Sequence, residues 1–239
     1  MRSARFNGVD PPIGYWIQID PKPNQSLSSY IAITNNPVRF ADPLGDTIIV
    51  DRMGYISRND KNDNLVFAKG HKNNLEALGE LGKSINISKI YKNLLENNTR
   101  VASEIYNPFR FRNLVKSKGE WDYKVNKNTI YGLGNDGQTR FLFKGKEMEA
   151  QDIGNHHFGA VANAYGFSQG FSLKQAGAAQ IQSGTSKSEW QIYGSPQVTG
   201  WTPSGPTLSK PMLAPYGDDP RDQSFIKAGY RYYDENQTD

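Results

Sequence analysis

Cysteine is absent from this chain of 239 residues, and histidine occurs only three times. Without cysteine there is no disulfide framework, no thiolate zinc site and no cysteine nucleophile. No apolar run is long enough to cross a bilayer, and the first residues are not followed by the apolar stretch of a signal peptide. We therefore expect neither a membrane span nor a signal peptide in this chain, so that export would depend on another carrier.

The composition indicates a folded, polar and loop-rich protein rather than a disordered one. Hydrophobic residues make up 36%, aromatic residues 12% and charged residues 22%, and this aromatic content is unlike that of disordered segments. The formal net charge is +4, but it is unevenly spread. Residues 46–150 carry 18 basic and 13 acidic groups, whereas residues 151–239 carry 6 and 8. The charge is therefore weak evidence for polyanion binding by the last third.

Short apolar pieces between turn residues predict strands in the first part of the chain. Residues 1–45 read as short strands and turns, and three further strands between residues 47 and 68 predict a small meander. Between residues 75 and 95, leucine and isoleucine recur at helical spacing, which predicts a helical hairpin. Apolar residues on either side of Gly134 and Gly137 predict a β-hairpin.

Three helices are predicted after residue 150 from their capping residues and apolar stripes. Their predicted boundaries are Asn155 to Gly166, Ser172 to Gly184, and an N-cap at Asp219 followed by Pro220. Residues 185–216 are predicted to form an ordered loop or lid. The fold class is thus α+β, with a strand-and-turn segment and small meander followed by a mainly helical domain that contains a β-hairpin.

The start of the chain resembles the end of the core of bacterial RHS-repeat proteins. The resemblance rests on residues 10–22, Tyr30 and residues 35–45, and Pro37 to Gly45 match a Pro-x-x-x-x-Asp-Pro-x-Gly junction. In that family a β-cocoon encloses a C-terminal toxin. The resemblance implies delivery by the cocoon and secretion-system components of a parent protein, and it divides the chain into residues 1–45, an accessory region at 46–104 and a toxin domain at 105–239.

Three later blocks resemble the polymorphic toxin type 44 domain. They cover residues 120–124, 152–160 and 216–223, and the match extends over roughly residues 105–235. This family is described as a predicted nuclease toxin. The resemblance implies a secreted antibacterial effector that enters a target cell and is neutralised in its producer by a cognate immunity protein.

Two of the histidines are adjacent, and the sequence favours His156 over His157 as a catalytic base. Successive helical positions point about 100° apart, so one reacting group is expected to use only one of them. On a helix that begins after Asn155, His156 lies with Asn163 opposite the apolar stripe, at the end where backbone N–H groups attract anions and lower a histidine pKa. Asn155 and Asn163 are predicted substrate contacts, and a structural role for the histidine pair is the alternative.

Carboxylates near these positions are the second group of candidates. Asp152 could orient a histidine, act as a base or bind a metal, or could simply stabilise a helix-entry turn. Asp218 has no comparable structural explanation and is predicted to be catalytic, while Asp222 is a predicted substrate contact that also suits the start of a helix. A His/Asp cluster does not separate metal ligation from acid–base work, so the metal and any cofactor stay open.

A third group surrounds Trp121. Lys124 could neutralise a phosphate and is predicted to be catalytic, whereas Trp121 and Asp122 are predicted substrate contacts, with packing as the alternative for the aromatic ring. Arg221 is a second cation for substrate binding.

Two reaction classes fit these residues. In metal-independent RNA cleavage, His156 would take the 2′-hydroxyl proton, and Lys124 or Arg221 would stabilise the phosphorane. In a peptidoglycan hydrolase, paired carboxylates would protonate and attack a glycosidic bond. The sequence analysis favours a nuclease, with the peptidoglycan hydrolase as its alternative and a non-enzymatic structural or adhesion module as a third hypothesis.

Overall fold

A computed structural model of the chain describes residues 9–10, 15–16, 47–59, 64–70 and 74–237. The chain divides into two compact units, Met1–Gly45 and Asp46–Asp239. In the first unit, β1 (Val9–Asp10) pairs antiparallel with β2 (Tyr15–Trp16). The rest of the predicted strand-and-turn segment, its junction at residues 37–45 and His71 lie outside the described residues.

In its described residues, the second unit combines a mixed sheet with six α-helices, which confirms the predicted α+β class. The seven strands of the sheet follow the order β4-β3-β5-β6-β7-β8-β9. These strands are β3 (Ile48–Val50), β4 (Ile56–Asn59), β5 (Leu65–Lys69), β6 (Leu75–Glu80), β7 (Ser84–Asn86), β8 (Arg140–Phe143) and β9 (Lys146–Met148). The helices are α1 (Ser88–Ser103), α2 (Pro108–Val115), α3 (Ile130–Leu133), α4 (Ala150–Tyr165), α5 (Gln169–Gln182) and α6 (Pro220–Asn236). None of the described helices is long and apolar enough to cross a bilayer.

The predicted helical hairpin at residues 75–95 is wrong in its first half. β6 pairs antiparallel with β5, and α1 begins only at Ser88. Gly79 shows why a helix does not form here, because its φ is +143° and a Cβ at this position would lie 2.0 Å from the Ser84 carbonyl oxygen. The helical spacing of the leucines was therefore overridden by pairing between strands.

The predicted β-hairpin around Gly134 and Gly137 is also misplaced. Residues before this turn form α3, whose N-cap Thr129 accepts a hydrogen bond from the Gly132 amide. The hairpin is instead β8–β9, which turns through Lys144 and Gly145, both with positive φ. A two-residue turn of this kind matches the twist of the strands that it joins.

The helix boundaries show which capping signals were correctly interpreted. α6 begins after Asp219 and α4 ends at Gly166 with φ +98°, both as predicted. α4 begins at Ala150 rather than after Asn155, because Glu149 and Asp152 form a reciprocal capping box. α5 is capped by Ser168 rather than by Ser172.

α4 crosses α6 at very short range at the centre of the unit. A Cβ on Gly159 would lie 2.1 Å from the Ile226 carbonyl oxygen, and a Cβ on Gly229 would lie 2.0 Å from that of His156. Only glycine permits this backbone approach. The contact fixes the start of α6 beside the first half of α4.

Residues 185–216 are more structured than a loop. They contain a short 3-10 helix (Ser188–Trp190) and a hairpin of β10 (Gln197–Thr202) with β11 (Gly205–Ser209). The Gly217 amide donates to the Trp190 carbonyl. This hydrogen bond anchors residues 185–216 to the chain directly before the start of α6.

Candidate active site

His156 lies in a buried aromatic layer between α1, α4 and β8. It is 6% exposed, and its Nδ1 atom lies 3.1 Å from the hydroxyl of Tyr91 on α1. Its ring also contacts the rings of Phe143 and Tyr232. The side chain therefore occupies a packed environment with a single polar partner.

His157 is fully buried in a second polar cluster on the same helix. The amide nitrogen of Asn98 donates to the Tyr123 hydroxyl at 2.7 Å and lies 2.9 Å from His157 Nε2. If Nε2 accepts this bond, Nδ1 carries the proton, and Nδ1 has no hydrogen-bond partner among the residues that the structure describes. The Trp121 and Tyr123 rings pack against the imidazole.

Both imidazoles are neutral near pH 7. Burial, followed by the charges of Lys146 and Lys144, lowers the pKa of His156 to about 4. Burial and then His156 lower the pKa of His157 to about 3. The pKa of His156 is lowered as predicted, but the predicted cause, a helix N-terminus, is wrong. Because α4 begins at Ala150, His156 lies well inside the helix, and desolvation is the cause.

Asp152 and Arg221 link the first turns of α4 and α6. Arg221 donates from Nε to Oδ1 of Asp152 at 3.0 Å and from a terminal nitrogen to Oδ2 at 2.7 Å. The Asp152 side chain is 1% exposed and also accepts from the Glu149 amide. Such a bidentate pair holds two elements in a fixed orientation. Asp152 is thus positioned as an anchor for Arg221.

Asp218 and Asp222 form a carboxyl pair at the start of α6. Asp218 is buried and accepts a hydrogen bond from Gln223 at 3.1 Å, and burial raises its pKa. Asp222 is half-buried. Burial, followed by the charges of Asp218 and Asp219, raises its pKa to about 6. Asp222 therefore keeps its proton to a higher pH than an ordinary aspartate.

Lys124 lies beside this pair. Its positive charge lowers the pKa of both Asp218 and Asp222, which opposes the effect of burial. Its aliphatic stem follows α4 at Gly154, where a Cβ would be 3.7 Å from that of the lysine. Asn155, one turn after Asp152, is half-buried on the same side of α4. We call Asp218, Asp222 and Lys124 the acidic cluster.

Three predicted substrate contacts lie elsewhere. Trp121 is buried against Phe111 and His157, and the Asp122 carboxylate accepts from the Lys118 amide. Asn163 donates to the Tyr230 carbonyl and to Asp234 on α6. Their observed contacts are within the protein.

Sequence reasoning did not identify the supporting residues Gln223 and Glu149. Gln223 is 3% exposed and donates to Asp218 and to the Leu173 carbonyl. Glu149 lies 3.2 Å from Arg221 and belongs to the capping box of α4. Because this box has glutamate at the N-cap and aspartate at N3, it does not follow the usual Ser/Thr-x-x-Glu pattern that the sequence would have shown.

The acidic cluster has the groups for acid–base chemistry. A protonated Asp222 can donate a proton, the neighbouring Asp218 favours retention of that proton, and Lys124 can bind an anionic or strongly polar group. Within the described residues, no three His, Asp or Glu side chains are arranged to hold a metal ion. Of the charges that act on Asp222, those of Asp218, Asp219 and Asp152 raise its pKa and that of Lys124 lowers it.

Comparison with known proteins gives the identity of the domain. No curated protein and no solved structure shows a significant match to the chain. A family model described as bacterial toxin 44 matches residues 110–235, which is more than half of the chain and runs from within α2 to within α6, with the acidic cluster included. The chain belongs to the bacterial toxin 44 family.

Proposed function

We propose that this toxin domain is a hydrolase that cleaves glycosidic bonds of peptidoglycan, with Asp222 as the general acid. The observation that carries the proposal is the half-buried Asp222 carboxyl, whose pKa is raised to about 6 beside a second carboxyl group. Glycosidases use such a group to protonate the leaving oxygen, and they need a second carboxylate near the positive charge of the transition state. Asp218 is the candidate for that second group, and because it is only 3% exposed it would act through its charge rather than by contact with the sugar.

The proposed reaction transfers one proton from Asp222 to the glycosidic oxygen as the bond to the anomeric carbon breaks. Water adds to that carbon, and a proton from the water returns to the carboxyl pair. Lys124 and Asn155 would bind hydroxyl or acetamido oxygens of the sugar. Arg221, held by Asp152, keeps the first turn of α6 in place beside them.

The burial of both histidines argues against the nuclease that the sequence favoured. A base for RNA cleavage must reach the 2′-hydroxyl, whereas His156 is 6% exposed and fixed by Tyr91. A phosphate chain would also approach three aspartates, whose charge Lys124 offsets only in part. An uncharged sugar ring avoids this repulsion.

We also propose that residues 1–45 are the end of an RHS core and that the domain is delivered into competing bacteria by its parent protein. A toxin of this kind requires an immunity protein in its producer. Membership of the toxin family supports the immunity protein, and the resemblance of residues 10–22 and 35–45 supports the RHS core.

The test compares the full chain produced in the cytoplasm with the same chain exported by an added signal peptide. We expect lysis only after export, and purified protein should release new reducing ends from isolated peptidoglycan. Asp222→Asn should abolish both effects. Killing from the cytoplasm with degraded RNA or DNA would overturn the glycan proposal in favour of a nuclease, and harmlessness in both compartments would favour a non-enzymatic module.

A further inference from the structure

The segment around α2 has the strongest uniform charge in the described part of the chain. Residues 105–119 carry Arg110, Arg112, Lys116 and Lys118 and no acidic residue. None of the four has a carboxylate partner among the described residues. On the neighbouring α1, by contrast, Arg100 is paired with Glu104 one turn away. The α2 cations are therefore available to an external anion.

Two aromatic rings are exposed beside these cations. Tyr106 is 96% exposed and Phe109 is 73% exposed, while Phe111 of the same helix packs inward against Tyr165. Phe109, Arg112 and Lys116 are spaced at three and four residues, so they share the outward side of α2. We call these two rings and four cations the α2 surface.

We propose that the α2 surface docks the toxin on an anionic lipid bilayer. Charge complementarity requires an anionic partner, and each lysine or arginine near an anionic membrane strengthens binding by roughly fivefold. The exposed rings favour a bilayer as the partner, because aromatic side chains beside cations insert at the level of the lipid headgroups.

The docking inference goes beyond the proposed reaction and does not depend on it. The α2 surface shares no residue with the acidic cluster. A protein whose Asp222 is replaced should therefore bind vesicles like the wild type. Failure of membrane binding and failure of glycan cleavage are thus separate results.

Vesicle flotation of the full chain tests the inference, with phosphatidylcholine vesicles that contain or lack phosphatidylglycerol. We expect flotation only with phosphatidylglycerol and weaker flotation at high salt. Arg110→Gln with Arg112→Gln should weaken binding by roughly 25-fold from two cations. Lys83→Gln with Lys89→Gln removes the same net charge from cations that are paired with glutamates, and should change binding much less.

A second pair of variants tests the rings. Tyr106→Ser with Phe109→Ser should reduce flotation at unchanged net charge, while Trp201→Ser, which removes a ring 78% exposed on β10, should not. Unchanged circular dichroism would show that these surface variants are folded. Absence of flotation with the wild type, or salt-sensitive binding of a single-stranded RNA oligonucleotide in its place, would overturn the inference.

Discussion

The buried histidine layer and the acidic cluster lie on two sides of α4 and differ in what they offer to a substrate. His156 and His157 are rare residues in the sequence, but both are enclosed by aromatic rings and hydrogen-bonded to α1. Asp222 is of a common residue type, yet it is half-buried and holds a proton to unusually high pH. Rarity of a residue type therefore indicates function less reliably than its access to solvent and its charged neighbours.

The largest expected effect is a loss of activity when Asp222 of the acidic cluster is replaced. Asp222→Asn should lower toxicity and glycan cleavage at least about a hundredfold, because a general acid contributes on the order of a hundredfold or more. Its melting temperature at neutral pH should equal or exceed that of the wild type, because the unfavourable charge of Asp222 is removed. Asp219→Asn is the matched control, since it removes the adjacent charge but retains an N-cap side chain. Equal activity of both variants would contradict the assignment of Asp222.

The pH dependence of stability should have opposite signs in the two regions. Each histidine pKa lies below its value of 6.5 in the unfolded chain, so the unfolded state binds more protons between about pH 4 and 6.5. Stability is therefore lost as the pH falls through this window, by on the order of 3 kcal/mol for each histidine at pH 4. Asp222 has a raised pKa, and its contribution is instead lost as the pH rises from about 4 to 6.

Urea unfolding between pH 4 and 7 measures this slope. Asp222→Asn should make the loss of stability on acidification steeper, because the opposing contribution disappears. Replacement of either histidine by phenylalanine should flatten the profile. A profile that is the same for all three proteins would show that these groups do not dominate the linkage.

Substitution of the histidines should affect stability rather than chemistry. His157→Ala should cost roughly 3 kcal/mol of unfolding free energy, because it opens a cavity and leaves Asn98 without one partner. His156→Ala should act similarly through Tyr91. Activity per folded molecule should be retained, as measured on soluble protein below its unfolding temperature. An inactive but stable His156→Ala protein would restore the histidine hypothesis from the sequence.

The smallest expected effect concerns the link between α4 and α6. Arg221→Lys retains the charge but loses the bidentate geometry to Asp152, and should cost about 1 kcal/mol, since the arginine side chain is partly exposed. Activity should fall a few-fold as the first turn of α6 loosens. Lys92→Gln is the control for an exposed pair and should change stability by less than about 0.5 kcal/mol. Equal losses in both proteins would contradict the anchoring role.

Capping residues in the sequence predicted helix ends better than apolar spacing predicted which segments pair as strands. Asp219 with Pro220 identified the start of α6, and Gly166 the end of α4, because capping depends on a few adjacent residues. The leucines at residues 75–81 indicated a helix, yet pairing with β5 made them a strand. Non-local contacts decide such cases.

The same limit applies to the candidate site. Asp218 and Lys124 were predicted as catalytic residues, and the structure brings them together with Asp222. The burial of His156 and His157 depends on Tyr91, Asn98 and Tyr123, which are distant along the chain. A single sequence carries no signal for that enclosure.

The contact between Gly159 and Gly229 has a consequence for the genetic stability of the toxin. Any side chain at either position would push α6 away from α4 and move Asp222 relative to Lys124. A single nucleotide change converts a glycine codon to alanine, serine, valine or a charged residue. Spontaneous attenuated mutants should therefore accumulate at these two codons, remote from the reacting groups, as readily as at the codons of the acidic cluster.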